Sequence, residues 1–157
     1  MKPSIEYFAG LFDGEGCICI ARAKQGWKNS RSKSPAYELK VFIRMSDVRP
    51  IQIFKERFDG NISFQEYKPV NHRPTHCFYC SHTKAERVVK ELLPYLIVKK
   101  EQAEVALEFQ QYMRDSNCKK VGFARKPVPK YILEKRHQYY LTLKNLKRKV
   151  YPRLVIH

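Results

Sequence analysis

Two carboxylates near the N-terminus, Asp13 and Glu15, have the surroundings most suited to chemistry. They alternate with Gly14 and Gly16 at the end of an apolar run, after which the chain changes to the alternating pattern of a strand. The apolar run predicts a short helix, and Ser4 is a suitable residue to cap its first turn. This helix would present a carboxylate from its C-terminal end.

Two small residues, Ala9 and Gly10, lie among the bulky side chains of the same run. A glycine within a helix costs about 1 kcal/mol relative to alanine, so Gly10 indicates a packing requirement. Because helices approach closely only where their side chains are small, the pair predicts a tight contact with another helix.

The cysteines offer a second kind of chemistry. Cys77 and Cys80 form a C-x-x-C pair with His76 and His82 nearby, so a zinc site is one alternative. The pair falls in a predicted strand, however, and its odd spacing sends the two side chains to opposite faces. Five cysteines in a chain without an export signal also disfavour disulfides. We therefore expect buried or half-buried thiols.

The remaining pattern predicts an α+β fold with element order αββαββα, followed by a helical C-terminal part. The predicted strands are 17–24, 37–45, 62–67 and 75–81, and the later helices are 48–58, 83–93, 100–114 and 130–149. Along the second strand, Leu39, Val41 and Ile43 alternate with Glu38, Lys40, Phe42 and Arg44. One face of an antiparallel sheet would thus suit a core, and the other a charged ligand.

The charge balance is the strongest global signal. Thirty-one Lys and Arg against 15 Asp and Glu leave a formal net charge of +16, spread along the whole chain. A folded, basic and aromatic-rich domain predicts a nucleic-acid partner. We expect a single domain over residues 1–157, with its core at about 4–115 and a helical part at about 116–157. Without a secretory signal or a membrane-length apolar run, we expect an intracellular protein.

The nine residues FAGLFDGEG, from Phe8 to Gly16, resemble the LAGLIDADG motif of homing endonucleases. Residue types match at Ala, Gly, Leu, the first Asp and the last Gly, and Glu15 stands where the motif has its second acid. The element order, the basic strands and the segment Leu93–Leu96 strengthen the resemblance. It implies the family's fold, in which a four-stranded antiparallel sheet forms a DNA-binding saddle.

The resemblance also implies an activity. The family makes double-strand breaks in long DNA targets by metal-dependent phosphodiester hydrolysis, leaving short 3′ overhangs. Because the motif occurs once in this sequence, a homodimer on near-palindromic DNA is implied. Ala9 and Gly10 would form the contact between the two motif helices, and Asp13 would cap the neighbouring one.

The same resemblance assigns the active centre. Glu15, with the Gly14 carbonyl beside it, would bind Mg²⁺, which prefers hard oxygen ligands. Lys99 matches a basic residue near the attacking water, and Arg49 matches a second one. A polar residue that orders water is common at the end of the second strand, where this chain has Met45.

Specificity in the family comes from the polar faces of the strands, which lie in the major groove. The best candidates for DNA binding are Glu38, Lys40 and Arg44. Weaker candidates on strands are Arg22, Lys24, Asn61, Ser63, Gln65, Tyr67 and His76, and candidates in loops are Lys28, Arg31, Lys33, Lys68 and Arg73. The loop candidates would contact the DNA backbone or outer bases, and each of them is equally compatible with a solvated charge. Arg22 shares its alternation with Ile18 and Ile20, so it would need a twist or bulge to reach DNA.

Two other classes of protein remain open. One is a LAGLIDADG-derived protein that binds nucleic acid without cutting it, such as an RNA-splicing maturase. The other is a basic ribosome-associated protein, which would explain the charge but not the glycine-flanked carboxylates.

Overall fold

The computed structural model describes residues 2–24, 34–66, 73–116 and 128–148. Its elements follow the predicted order, with boundaries within three residues of those expected. They are α1 (Ile5–Glu15), β1 (Gly16–Ala23), β2 (Ala36–Met45), α2 (Val48–Phe58), β3 (Asn61–Gln65), β4 (Thr75–Ser81), α3 (His82–Leu92), a 3₁₀ turn (Leu93–Tyr95), α4 (Lys100–Asp115) and α5 (Lys130–Leu146).

Helix α1 buries one side against the sheet and the other helices. Phe8, Ala9 and Phe12 recur at helical spacing and are all buried. The helix passes directly into β1 at Gly16, where a Cβ atom would lie 2.3 Å from the ring of Phe12. The last glycine of the motif is therefore required by packing within this chain.

The four strands form one antiparallel sheet in the order β1–β2–β4–β3. The pairing places Ile18, Val41 and Phe78 on the face that the helices cover, and these side chains are buried. The opposite face, which we call the open face, carries the other residue of each alternating pair. The predicted division into an apolar and a polar face is confirmed.

Helices α2 and α3 cover the apolar face of the sheet. Helix α2 begins at Asp47, whose carboxylate accepts a hydrogen bond from the backbone N–H of Arg49 at 2.9 Å. It buries Phe54 and Phe58 in an aromatic cluster with Phe78. Phe54 also contacts Phe8 and Phe12 of α1, so the cluster joins α1 and α2 to the same face of the sheet.

The two C-terminal helices pack on each other and against β1. The Tyr37 hydroxyl of β2 lies 3.1 Å from His137 Nδ1 of α5, and Leu143 of α5 is buried in the main core. The C-terminal part thus joins the same core. Within the described ranges, the helices are too short or too polar to cross a bilayer.

Candidate active site and nucleic-acid interface

The Asp13 carboxylate fastens the end of α1 to the start of α4. Its Oδ2 accepts the N–H groups of Ile97 at 2.7 Å and Val98 at 3.1 Å, and its Oδ1 accepts that of Lys99 at 3.0 Å. These N–H groups precede α4 and have no helical partner. The resemblance assigned Asp13 to the motif helix of a second copy, but its carboxylate caps this chain instead.

Glu15 has a different environment although it is only two residues away. It is the last residue of α1 and is exposed. A Cβ atom on the neighbouring Gly14 would meet nothing within 4 Å, so the space beside both residues is open. Across the described ranges, there is no group of three or more His, Cys, Asp or Glu residues able to hold a metal. One chain therefore presents Glu15 as a single accessible carboxylate.

Lys99 lies against the same end of α1. Its Nζ donates a hydrogen bond to the carbonyl of Asp13. Burial lowers the pKa of Lys99, and the charges of Asp13, Cys17 and Glu15 oppose that effect. The structure thus brings Lys99 and Glu15, two of the residues assigned to the active centre, to one location.

Arg49 is held by a different partner. Its guanidinium forms a two-pronged ion pair with Asp47, with Nε 3.0 Å from Oδ1 and Nη2 2.5 Å from Oδ2. The hydrogen bonds from Arg49 lower the pKa of Asp47 to about 2. The pair is at the exposed start of α2. Met45, the last residue of β2, stands where the resemblance led us to look for a polar residue that orders water, and it packs against the core.

Two residues near Glu15 were missed by the sequence reasoning. Lys147, just after α5, places its Nζ 2.9 Å from the Sγ of Cys17 on β1. A hydrogen bond from the Cys19 thiol lowers the pKa of Cys17 to about 6, with Lys147 acting in the same direction. A second cation, besides Lys99, therefore lies near the carboxylates. The only sequence signal was the basic cluster at the end of α5.

The two small residues of α1, Ala9 and Gly10, lie on different faces of the helix. Ala9 is only 1% exposed and packs in the core of its own chain, so it does not lie on the outer face that was expected to contact a second helix. Gly10 is exposed, and a Cβ atom there would meet nothing within 4 Å. Exposed Ile97 and Val98 follow the 3₁₀ turn that packs on α1, with Ile97 87% exposed. Nothing in the part of the chain that the structure describes requires a glycine at residue 10.

The open face of the sheet carries six of the residues predicted to bind DNA. They are Glu38, Lys40, Arg44, Asn61, Ser63 and Gln65. Arg44, Asn61 and Gln65 are exposed. Exposed Arg73 precedes β4. The predicted contacts Lys28, Arg31, Lys33, Tyr67 and Lys68 lie outside the described residues.

Three candidates have environments that differ from the prediction, and a fourth, Arg22, lies on the face where alternation placed it. Glu38 is only 9% exposed because its carboxylate lies 3.2 Å from Lys40 Nζ and 3.1 Å from His82 Nε2. It therefore orients basic side chains rather than extending into a groove. The register places Arg22 and His76 on the helix-covered side of the sheet, and alternation places Lys24 there as well. His76 lies against the ring of Phe64.

The cysteine geometry agrees with the preference for thiols over zinc. Cys77 pairs with Arg44 on the open face, whereas Cys80 pairs with Val41 on the apolar face. Burial raises the pKa of Cys80 to about 11. A neutral, buried thiol is a poor metal ligand.

No protein-family model and no curated protein matches the sequence, but solved structures match the fold. The homing endonuclease I-CvuI, in complex with its target, has a TM-score of 0.69 at 15% identity over 96% of this chain and 85% of its own. The archaeal intron-encoded homing endonuclease I-Vdi141I, complexed with DNA, has a TM-score of 0.68 at 14% identity over 94% and 86%. A mutant of I-SmaMI has a TM-score of 0.63 at 14% identity over 91% of this chain but 43% of its own.

These similarities confirm the fold expected from FAGLFDGEG. The chain has the α+β fold of LAGLIDADG homing endonucleases, with the motif on α1 and an antiparallel four-stranded sheet beside it.

Proposed function

We propose that this chain is a site-specific DNA endonuclease that cuts both strands of a near-palindromic target as a homodimer. One observation carries the proposal above the others. Glu15 stands accessible at the end of α1, with a lysine beside it, on a fold with a polar and basic sheet face. A binding module would need the sheet but not this carboxylate.

The charge of the chain supports double-stranded DNA as the partner. A net charge of +16 gives a strong attraction to phosphates, and the open face adds polar side chains able to reach base edges. The solved structures of I-CvuI and I-Vdi141I are complexes of those proteins with DNA.

The outer face of α1 supports a homodimer. Gly10 and Gly14 face open space, although a glycine in a helix costs about 1 kcal/mol relative to alanine. A second α1 packed closely against this face would explain why both residues are glycine, and it would cover Ile97 and Val98. Coverage of only 43% of the I-SmaMI chain agrees with this, because two copies of the present fold would be needed to span a chain of that length.

The donor set around Glu15 fits a divalent metal such as Mg²⁺. The carboxylate of Glu15 and the carbonyl of Gly14 are hard oxygen ligands, and a second copy and the DNA phosphates would supply further oxygens. A metal bound there would stabilise charge on the attacking and leaving oxygens and lower the pKa of water. Two I-CvuI complexes with DNA were determined in the presence of 2 mM Ca and 2 mM Mg, respectively.

The protein side chains near Glu15 would position and stabilise the reacting groups. Lys99, fixed by its hydrogen bond to Asp13, would place a positive charge beside the scissile phosphate. Arg49 is further along the chain, at the start of α2, where its ion pair with Asp47 gives it a fixed orientation towards solvent or DNA. Hydrolysis on both strands would leave short 3′ overhangs.

A cleavage assay on selected DNA tests the proposed function. Binding selection from a random duplex library in Ca²⁺ would give the target, which is then incubated with the protein in Mg²⁺ or in EDTA. We expect double-strand cuts in Mg²⁺ and none in EDTA. Tight binding without cutting would instead support the non-cleaving alternative, and failure to select any sequence would contradict site-specific recognition.

Sedimentation of the protein on its target tests the homodimer. We expect two chains per DNA duplex for the wild type. Gly10→Leu should abolish this stoichiometry without unfolding the chain, because the added side chain enters open space in the single copy. Gln52→Leu, at an exposed position of α2, is the matched control and should leave the stoichiometry unchanged. One wild-type chain per duplex would contradict the dimer.

A further inference from the structure

Two aromatic side chains interrupt the polar open face of the sheet. Phe42 of β2 pairs directly with Tyr79 of β4, and within the described residues these are the only aromatic side chains on that face. Tyr79 is 44% exposed and Phe42 is half-buried. Their side chains point away from the core, which lies on the other face, so their aromatic character has no explanation in core packing.

Apart from the thiols of Cys17, which pairs with Phe42 on β1, and Cys77, two residues before Tyr79 on β4, the neighbours of this aromatic pair on the open face are polar or charged. Lys40 and Arg44 flank Phe42 on β2. Asn61 of β3 pairs with Tyr79 on the side away from Phe42. A partner that fits this arrangement must therefore be charged or polar overall, with one apolar group at the centre.

We propose that Phe42 and Tyr79 contact the 5-methyl group of thymine in the major groove of each half-site. The proposal rests on the proposed function, since it names what part of the DNA this surface recognises. In the major groove, thymine is distinguished by its methyl group, and apolar side chains recognise it by contact. Phosphate and the other base edges offer only polar groups to this pair.

The dimensions of the sheet agree with such a contact. The major groove is about 12 Å wide and admits two strands, and β2 and β4 are the central pair of the four. Neighbouring strands are about 4.8 Å apart. With β2 and β4 running along the groove, the two rings lie side by side across its width. Lys40 and Arg44 then lie about 7 Å along β2 on either side, above flanking base pairs.

The alternative role for this pair is structural. Cross-strand aromatic pairs stabilise sheets by about 0.2–1 kcal/mol, whatever the ligand. A structural pair would not respond to the removal of a single methyl group from DNA. This difference defines the experiment.

The experiment measures binding of the full chain to its selected target in Ca²⁺ with each thymine replaced in turn by deoxyuridine, which lacks only the methyl group. We expect one position per half-site at which the replacement weakens binding about four-fold, the value of one buried methyl or methylene group. Replacement in both half-sites should weaken binding about fifteen-fold, because the two contacts are equivalent and distant.

Variants assign the effect to the aromatic pair. Tyr79→Ala, at an exposed position, should bind the deoxyuridine duplex and the thymine duplex with nearly equal affinity at that site. Phe42→Ala should do the same, provided that thermal melting shows that it folds. Arg44→Ala should weaken binding to both duplexes while keeping their ratio. The proposal is overturned if every deoxyuridine duplex binds like the thymine duplex, or if the penalty persists in Tyr79→Ala. Those results leave the proposed endonuclease intact, whereas failure to bind DNA at all would remove both.

Discussion

The capping role of Asp13 gives a prediction that separates two accounts of the motif. Asp13→Ala removes the acceptor of three backbone N–H groups, those of Ile97, Val98 and Lys99. Loss of a capping side chain typically costs about 0.5–2 kcal/mol. Three bonds would together cost more than a single cap, but the first two are exposed, so water can replace them in part. We therefore expect a loss of about 2 kcal/mol in the free energy of unfolding, at the upper end of that range.

Asp13→Asn provides a graded comparison. The amide keeps one acceptor oxygen, which can serve Ile97 and Val98 as Oδ2 does, but it replaces the Oδ1 that accepts from Lys99. We expect a loss of about 1 kcal/mol, as for one hydrogen bond. Glu104→Ala, on the exposed side of α4, is the control and should change the free energy of unfolding little.

The assay is urea unfolding at several protein concentrations, with sedimentation in parallel. With a urea slope of about 2 kcal/mol per M, a loss of about 2 kcal/mol corresponds to a fall in the urea midpoint of about 1 M. The cap lies within one chain, so the loss should not depend on protein concentration. If Asp13→Ala is as stable as the wild type but self-associates more weakly, this reasoning is refuted. Asp13 would then cap the motif helix of the neighbouring copy.

Three further predictions concern the residues around Glu15. Gly16→Ala should lower the free energy of unfolding in urea by about 1–3 kcal/mol, because its Cβ would lie 2.3 Å from Phe12. Gly14→Ala, the control, should leave it unchanged, since a Cβ atom there meets nothing within 4 Å. Equal stabilities of the two variants would contradict the packing argument. Lys99→Met should slow single-turnover cleavage about a hundred-fold. Lys100→Met, at an exposed position, is the control and should cleave at the wild-type rate. Equal cleavage rates of the two variants would exclude Lys99 from the active centre. Cys17 has its pKa lowered to about 6, so its alkylation, followed by peptide mass spectrometry, should reach half its maximal rate near pH 6 and shift to higher pH in Lys147→Met. A midpoint near that of an ordinary thiol in the wild type would contradict the lowered pKa of Cys17, and an unchanged midpoint in Lys147→Met would contradict the contact with Lys147.

The fold was predictable because the apolar residues of its helices and strands recur at regular spacing and because capping and turn residues mark where the elements begin and end. Helix α2 begins and ends where the sequence predicted, since Asp47 caps its start and Asp59 adopts a left-handed conformation at its end. The alternation along β2 identified both faces of the sheet. These features are local, so the sequence contains them directly.

The candidate site was only partly predictable because it depends on contacts between distant residues. The Lys147–Cys17 contact spans 130 residues and the Asp13–Lys99 contact spans 86, and no periodic pattern reports such pairings. Ala9 was misplaced because α1 is apolar on both sides, so composition does not tell which side meets the core. Glu38 was taken as exposed because alternation does not reveal a cross-strand ion pair with His82.

Glu15→Gln tests the central claim most directly. The amide keeps the size of the side chain but removes the charged ligand, and Glu104→Gln is the control on an exposed part of α4. On the selected target we expect Glu15→Gln to bind in Ca²⁺ as tightly as the wild type within about three-fold. Its cleavage in Mg²⁺ should fall at least about a thousand-fold, because several kcal/mol of transition-state stabilisation are lost. Cleavage by Glu15→Gln at the wild-type rate would contradict the account.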